Sequence, residues 1–599
     1  NGAFQQTYQG VISRTRESSG FDIGIIKFDH TGANRIYATY IGGAGGNEQP
    51  HSMVVDGAGN LVIAGRTTSL DYPTKGALKQ YGPLGGEWDI VVTKLNATGT
   101  ALIASVKIGG DMDDGVNIRH KYPIRGAESI NRNYGDDARS EVILDDSGNI
   151  YFASCTQSTN FPTTAVSAQT TLGGTNASGR NQDAVVLKLT PDLSAVLFSV
   201  IIGGNDDDAA FVLAINPFTN NLFVAGATAS ANFPGNKTGV KFPVFQGGIS
   251  DGFVAEFTGN GALVRNGFFG TPGTDIIYGI QFDKFGQLYI SGTTTGSWPV
   301  LNANFSQTAG KQFISKLKPD LSDYIYSTVF GSGSVNPNIS PTAFLVDRCE
   351  NVYVSGWGGM VNSENGYPNS GTNGLSVTPD AYQKTTDNKD FYFFVLEKNA
   401  QSQLYGSFFG QNGGFGEHVD GGTSRFDRNG VIYQSICANC SSPKPPFPTT
   451  PGVWSPYNGA SDCNLAAVKI AFNLAGIGAG ISASVSGVPH DTVGCVPLTV
   501  DFTDTLAMGK EYIWNFDDGS GFITTSVPSI THTFNTIGFY RVKLISVDSN
   551  SCNIADTSYV TMRVRDDEAG LAFTAAKLPP CASLTYQFTN NSIAIKPFT

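Results

Sequence analysis

Charge is scarce in this sequence. Only 15% of its 599 residues are Asp, Glu, Lys or Arg, where roughly a quarter is usual in globular proteins. The 38 basic residues are outnumbered by 50 acidic ones, giving a formal net charge of -12. No basic footprint exists to neutralise nucleic-acid phosphates or to draw the chain to an anionic membrane. Long apolar runs are missing as well: the softest stretch, residues 470–485, is broken by Asn473 and several glycines, and nothing reaches the 18 or so consecutive apolar residues of a bilayer-spanning helix. Eight cysteines are too few for a disulfide scaffold, although they suit a few staples in an oxidising compartment. The six histidines form no His-Glu-x-x-His pattern, which argues against a zinc hydrolase. There is no Gly-x-Ser-x-Gly elbow, and the Ser-x-Asp-x-Gly-x-Thr-Trp turns of propeller sialidases are absent. The first residues, Asn1-Gly2-Ala3-Phe4, lack the regions of a signal peptide and are silent on export.

Glycine is abundant instead. The 72 Gly and 28 Pro, with 11% aromatics, point to short strands joined by many tight turns. A repeat is evident: apolar strand, Gly-Gly or Phe-Gly, second strand ending in Asp, Gly/Asn turn, third strand ending in Gly-x-Thr, aromatic-Pro, loop, fourth strand. Third strands begin after Asn60, Asn149, Asn221, Gln287, Asn351 and Gly430. The aromatic-Pro pairs are Tyr72-Pro73, Phe161-Pro162, Phe233-Pro234, Trp298-Pro299, Tyr367-Pro368 and Phe447-Pro448. Fourth strands begin at Asp22, Asp89, Asp183, Asp251, Gln312, Phe391 and Asn464, with the alternation of a strand that has one face in a core. Seven fourth strands against six other sets leave one blade incomplete, so residues 1–478 read as a six- to seven-bladed all-β propeller that begins part-way through a blade, completed by upstream residues or by strands from both ends of the ring. Two long insertions, 111–137 and 360–389, stand out as functional or mobile loops.

A different module occupies residues 479–566. Cys495-Val-Pro-Leu-Thr-Val-Asp-Phe-Thr opens it, Trp514-Asn-Phe-Asp-Asp-Gly519 sits in its middle, and His532 to Leu544 lead to its end; short alternating strands around Trp514 predict an immunoglobulin-like β-sandwich. The opening recurs at Cys581, so residues 567–599 read as the start of a second, truncated copy, and the chain as a piece of a longer polypeptide.

The repeat of residues 1–478 resembles the bacterial SBBP β-propeller repeats, which carry the Gly-Gly, the Asp before a Gly-Asn turn and the aromatic-Pro. The sandwich resembles a PKD domain, with Asp517 in place of the usual Gly of Trp-x-Phe-Gly-Asp-Gly. That order of modules is similar to large type IX-secreted surface proteins of Bacteroidetes-type bacteria, some of which serve gliding or adhesion. The resemblance implies a non-catalytic protein at the cell surface, the propeller a recognition or assembly head and the PKD repeats a stalk, with partners among surface or secretion-system proteins or surface glycans. The alternative is the carbohydrate-binding region of a larger secreted polysaccharide-degrading enzyme.

Candidate sites are few. The acidic clusters at Asp111-Met-Asp-Asp-Gly115 and Asp206-Asp-Asp208 lack the spaced pattern of a calcium loop and read as solvated acidic turns, with calcium the one cofactor to consider. The Asp-containing turns at Asp56, Asp145, Asp283, Asp347 and Asp427 read as hairpin turns in which Asp caps its own backbone. Arg119, His120, Lys121, Tyr122 and Arg125 form a basic, aromatic-bearing stretch in an acidic chain, a candidate binding loop set against an ordinary solvated one. Trp357 is either a sugar-stacking platform or, the preferred reading, a blade-packing residue. Cys437-x-x-Cys440 reads as a disulfide participant with Cys463 as a competing partner. Cys495 and Cys552 are expected to pair within the sandwich, where early and late strands approach each other, a closure worth roughly 3 to 5 kcal/mol in the chain-entropy model.

Overall fold

The computed structural model describes residues 2–10, 20–117, 130, 132–174, 181–422, 424–438, 447–460, 463–566, 569–570, 572–579 and 584–594. These divide into two compact units, Asn1–Phe472 and Asn473–Thr599.

The first unit is a propeller. Blade 1 runs Glu48–Val55, Leu61–Thr67, Asp89–Leu95, Leu102–Ile108, and four further blades repeat that order: Glu141–Leu144 to Val196–Ile202, Asp208–Ile215 to Leu263–Phe269, Asp275–Phe282 to Tyr324–Phe330, and Ser340–Val346 to Gln403–Phe409. Blade 6 has three strands, Arg425–Phe426, Val431–Ala438 and Asn464–Ala471. The ring closes through Arg425, whose side chain donates to Met53 O (3.0 Å) and Ser52 Oγ (2.9 Å) on the innermost strand of blade 1. A separate hairpin, Ile23–Phe28 with Arg35–Ile41, packs Ile23, Ile25 and Ile41 on the face of blade 1. This hairpin is the surplus fourth strand of the sequence repeat. The repeat is out of phase with the blade: the strand before each Gly-Gly is the outermost strand of the preceding blade.

Burial follows from that stacking. In blades 1 and 3 the Asp89–Leu95 and Asp251–Phe257 strands are buried at every residue, because neighbouring blades cover both faces. Among the described propeller strands, alternation is clearest in the hairpin and blade 6, for example in Val431–Ala438. The aromatic of every aromatic-Pro pair is buried at 6% exposure or less. Trp298 shows why: it stacks on Phe313 of the third strand at 3.6 Å and donates its indole N–H to Ser315 and Ser327, so one large side chain pins the long connection to the blade and satisfies its own polar atom.

The hairpin turns form as the sequence predicts. Asp56 Oδ1 accepts from the amides of Ala58 and Asn60, and Asp145, Asp283, Asp347 and Asp427 repeat the pattern. Lys94, Lys188 and Lys316 then reach Asp56, Asp145 and Asp283 from the third strand of their blades. These carboxylates therefore serve the turn.

The second unit contains a β-sandwich. One sheet orders Val488–Pro489, Ile481–Val485, Leu498–Asp504, Ser529–Phe534; the other orders Val493–Cys495, Ala555–Arg565, Gly538–Val547, Glu511–Asn515, Phe522–Thr525. Strict alternation in Leu498–Asp504 turns Val500 and Phe502 inward on Trp514, Phe516, Phe534 and Leu544, all fully buried. Asp517 has φ +60°, the left-handed region in which Gly is the natural occupant and Asp is tolerated. Its carboxylate also accepts from the Arg541 amide at 3.1 Å. We expect Asp517→Gly to change stability by less than about 1 kcal/mol and Asp517→Val to destabilise by about 1–3 kcal/mol, measured as shifts of the sandwich's urea midpoint.

The expected Cys495–Cys552 disulfide is corrected by the structure: Cys495 carries a thiol and Cys552 is disulfide-bonded elsewhere. Cys495 pairs with Arg565, the last residue of the Ala555–Arg565 strand, whereas Cys552 lies just before its first. At about 3.3 Å per residue, the two ends of that strand stand far beyond the roughly 4.4–6.8 Å Cα separation a disulfide allows. Cys463 is disulfide-bonded and Cys437 is not, which corrects the expectation for Cys437; Cys440 lies outside the described residues. Beyond the sandwich, Phe573–Lys577 and Tyr586–Asn590 form an antiparallel pair.

Candidate functional site at the propeller axis

Propellers present their chemistry where the innermost strands converge, and here that space is filled by the chain's own insertions. The first insertion ends in a 3₁₀ turn, Tyr134–Ala138, whose Gly135 to Ala138 are buried. Arg66 of blade 1 donates to Asp137 O (3.0 Å) and pairs with the Asp137 carboxylate at 3.1 Å. Tyr278 of blade 4 donates to Asp136 Oδ2 at 2.7 Å. In a ring of six, blades 1 and 4 face each other, so a five-residue turn that touches both lies on the axis. Arg139 donates to Pro341 O of blade 5 at 2.8 Å, lies over the Tyr278 ring at 4.7 Å and stands 3.9 Å from Asp136.

The second insertion meets the first. Its helix, Met360–Asn365, carries Asn362, which accepts from the Tyr134 amide (3.0 Å) and donates to Asn133 Oδ1 (2.9 Å). Asn133 donates in turn to Tyr278 Oη at 2.6 Å. Described residues of the two insertions, read in sequence as functional or mobile loops, thus form one buried network. Burial pushes Asp136 up from the ordinary carboxylate range, against Arg139 and the amides of Arg132 and Asn133; Tyr278 is pushed far above an ordinary phenol, first by burial and then by the Asp136 charge.

A second set of polar groups sits between blades. Where a third strand begins in one blade, a carboxylate faces another at the start of the next blade: Asp22 with Glu48, Asp89 with Asp114, Asp183 with Asp208, Asp251 with Asp275, Asp390 with Glu417. The glycines after the fourth strand make room for them. A Cβ on Gly42 would stand 2.3 Å from Asp22 Oδ1 and 2.6 Å from Glu48 Oε2; a Cβ on Gly410 would stand 2.3 Å from both Asp390 Oδ1 and Glu417 Oε2. One oxygen of each inner carboxylate is held by backbone or hydroxyl donors, as Asp208 Oδ2 is by Gly204 N and Ser230 Oγ. The facing oxygens Asp22 Oδ1, Glu48 Oε2, Asp251 Oδ1 and Glu417 Oε2 have no donor among the described residues. A proton shared between facing acceptors relieves their repulsion. Accordingly burial, and then the facing charge, raise these groups: Asp114 to about 7, Asp251 to about 8, Glu417 to about 8, and both members of the Asp183–Asp208 pair upward. At the junction of blades 4 and 5 an amide pair stands instead, with Asn338 N donating to Gln312 Oε1 at 2.6 Å. Neutral groups fill the same position there, as a protonated pair would.

The acidic turns singled out in sequence are corrected in part. Asp111 is exposed and Asp206 half-buried, but Asp114, Asp207 and Asp208 are fully buried, because they sit at blade junctions and not at a solvated loop tip. Trp357 is buried at 2% exposure, as blade packing predicts. Arg119, His120, Lys121, Tyr122 and Arg125 lie outside the described residues.

A family model described as a beta-propeller repeat, SBBP, matches residues 36–73. A PKD domain model matches residues 489–564. The chain carries an SBBP β-propeller repeat followed by a PKD domain. No curated protein matches it. Among solved structures, the SBBP propeller chain is similar to the extracellular domain of a one-component system from B. thetaiotaomicron, at 10% identity and TM-score 0.20 over 89% of this chain and 71% of that one. It is also similar to a glucose dehydrogenase, at 12% identity and TM-score 0.28 over 65% and 93%, and to an exo-beta-1,3-galactanase from Phanerochaete chrysosporium, at 9% identity and TM-score 0.25 over 71% and 89%. Likenesses this distant carry no functional information. No helix among the described residues is long and apolar enough to cross a membrane.

Proposed function

We propose that this chain is a non-catalytic extracellular surface protein in which the SBBP propeller is a rigid recognition or assembly head and the PKD sandwich a spacer, serving adhesion or gliding-type motility at a bacterial surface reached by type IX secretion. The observation that carries the reading is the filled axis. Propeller enzymes need a cleft in which convergent polar groups stay available to substrate. Here Asp136, Asn133, Asn362 and Tyr278 hydrogen-bond one another, Arg139 donates to Pro341 O and stands beside Asp136, and the junction carboxylates face each other. Such networks rigidify a ring. The raised carboxyl pKa values that elsewhere mark an acid catalyst here accompany structural pairs.

The test uses the whole chain on two panels. Glycosidase, esterase and protease substrates should show no turnover above a heat-treated control, and a glycan array with purified surface proteins should return a saturable ligand. Turnover that survives repurification and is abolished by a propeller substitution would overturn the proposal. Saturable glycan binding together with a hydrolase elsewhere in the full-length polypeptide would favour the carbohydrate-binding alternative.

A further inference from the structure

Where blade 6 begins, three unlike donors converge. His418 and Cys437 are bridge partners: the Cys437 amide donates to His418 O at 2.9 Å and the His418 amide to Cys437 O at 3.2 Å. Partners across a bridge present their side chains on one face, and Asp420, two residues along an extended segment, returns to that face. One ligand-type atom from each of His418, Asp420 and Cys437 lies within 4.8 Å of the other two.

The three are held in place. The His418 ring is buried, 5.6 Å from the Tyr134 ring and 5.8 Å from that of Trp357. Gln49 Nε2 holds Asp420 O at 2.9 Å. Two residues on, Gly422 passes so near blade 1 that a Cβ there would stand 2.2 Å from His51 O. The Asp420 side chain is 55% exposed, so the cluster is open to solvent on one side.

Two chemistries use these residue types, a nucleophilic relay and a metal centre. A relay needs thiol and carboxylate on opposite ring nitrogens. His418 Nδ1 is buried without a hydrogen-bond partner, while Nε2 stands 3.2 Å from Asp420 Oδ1; the ring is not bracketed. Metal ligation needs donors converging on a point. Two N or O ligands at about 2.0–2.1 Å from a tetrahedral zinc ion are about 3.3 Å apart, close to the His418–Asp420 spacing, and a thiolate selects for the softer transition metals over calcium or magnesium.

We propose that His418, Asp420 and Cys437 bind one divalent transition-metal ion of the zinc type, with water from the open side completing its coordination.

The test is cobalt titration of the intact chain after chelator dialysis. We expect one equivalent to bind with a thiolate-to-cobalt charge-transfer band in the near ultraviolet, displaced by one equivalent of zinc, and native mass spectrometry to show a single added ion. Cys437→Ser should abolish the band, and His418→Ala and Asp420→Asn should each weaken binding at least tenfold. Circular dichroism controls for folding, and the wild-type stoichiometry needs no variant. Absence of stoichiometric binding by the wild type, a band that persists in Cys437→Ser, or a peptide map placing Cys437 in a disulfide would each overturn the proposal.

Discussion

Raising the pH from 4 to 8 is expected to weaken the propeller against urea by several kcal/mol. The junction carboxyls Asp114, Asp251, Asp275, Asp390 and Glu417 are raised to between about 6 and about 8 by burial, whereas in the unfolded chain they titrate near 4. Between those values the native state holds protons that the unfolded state has released. Stability contributed by these groups is complete below about pH 4 and is lost as pH rises through 6 to 8. Each retained proton gives a slope of about 1.4 kcal/mol per pH unit. The turn carboxylate Asp56 acts oppositely: Lys94 and Asn60 overcome its burial and hold it down to about 2, so its contribution fades as pH falls below 4. Stability should therefore peak on the acid side, near pH 4–5. Urea midpoints of the propeller transition at pH 4.5, 6 and 8 and constant ionic strength measure the slope. In Asp251→Asn the slope should flatten and the pH 8 midpoint rise. A midpoint that rises with pH would show the pairs to be ionised or cation-bound.

Arg139→Met is expected to destabilise the propeller by about 3–5 kcal/mol, since removing one partner of a buried ion pair leaves the other uncompensated. The Arg139 and Asp136 side chains are 2% and 0% exposed. Without the guanidinium, Asp136 keeps donors from Arg132 N, Asn133 N and Tyr278 Oη but loses the charge of Arg139 that opposes its burial. Adding Asp136→Asn should recover much of the loss, because a neutral amide needs no cation. A double-mutant cycle on the propeller midpoint reads the coupling; additivity within about 0.5 kcal/mol would show the axial network to be incidental.

Much of this was legible in the chain because it is local. An Asp four residues before an Asn, with Gly between, forms its cap from its own neighbours, so Asp145 and Asn149 announce a hairpin without any knowledge of the ring. Trp514 is read as core from its alternating flanks. The junction pairs were not legible, since Asp183 and Asp208 belong to different blades and Asp208 sits in a run that looks like an acidic turn. The axial network was hidden for a similar reason: Asn133 and Asn362 lie in separate polar insertions, and their burial appears only when blades 4 and 5 bring them together. The Cys495 pairing failed on strand length, because sequence shows that two segments approach but not which end of an 11-residue strand each one meets.

Hydrogen exchange at the axis reads whether the insertion closes it. The amides of Asn117, Asp136 and Arg139 donate to Asp137 O, Asn133 O and Asp136 O, the first of them a bond between the two ends of the insertion. If the propeller is a closed head, these amides exchange as slowly as those of the Asp183–Leu189 strand, opening only with the blades themselves. Exchange at the rate of an exposed loop, with the blades still protected, would mean that the axis is open and the propeller is not a closed head.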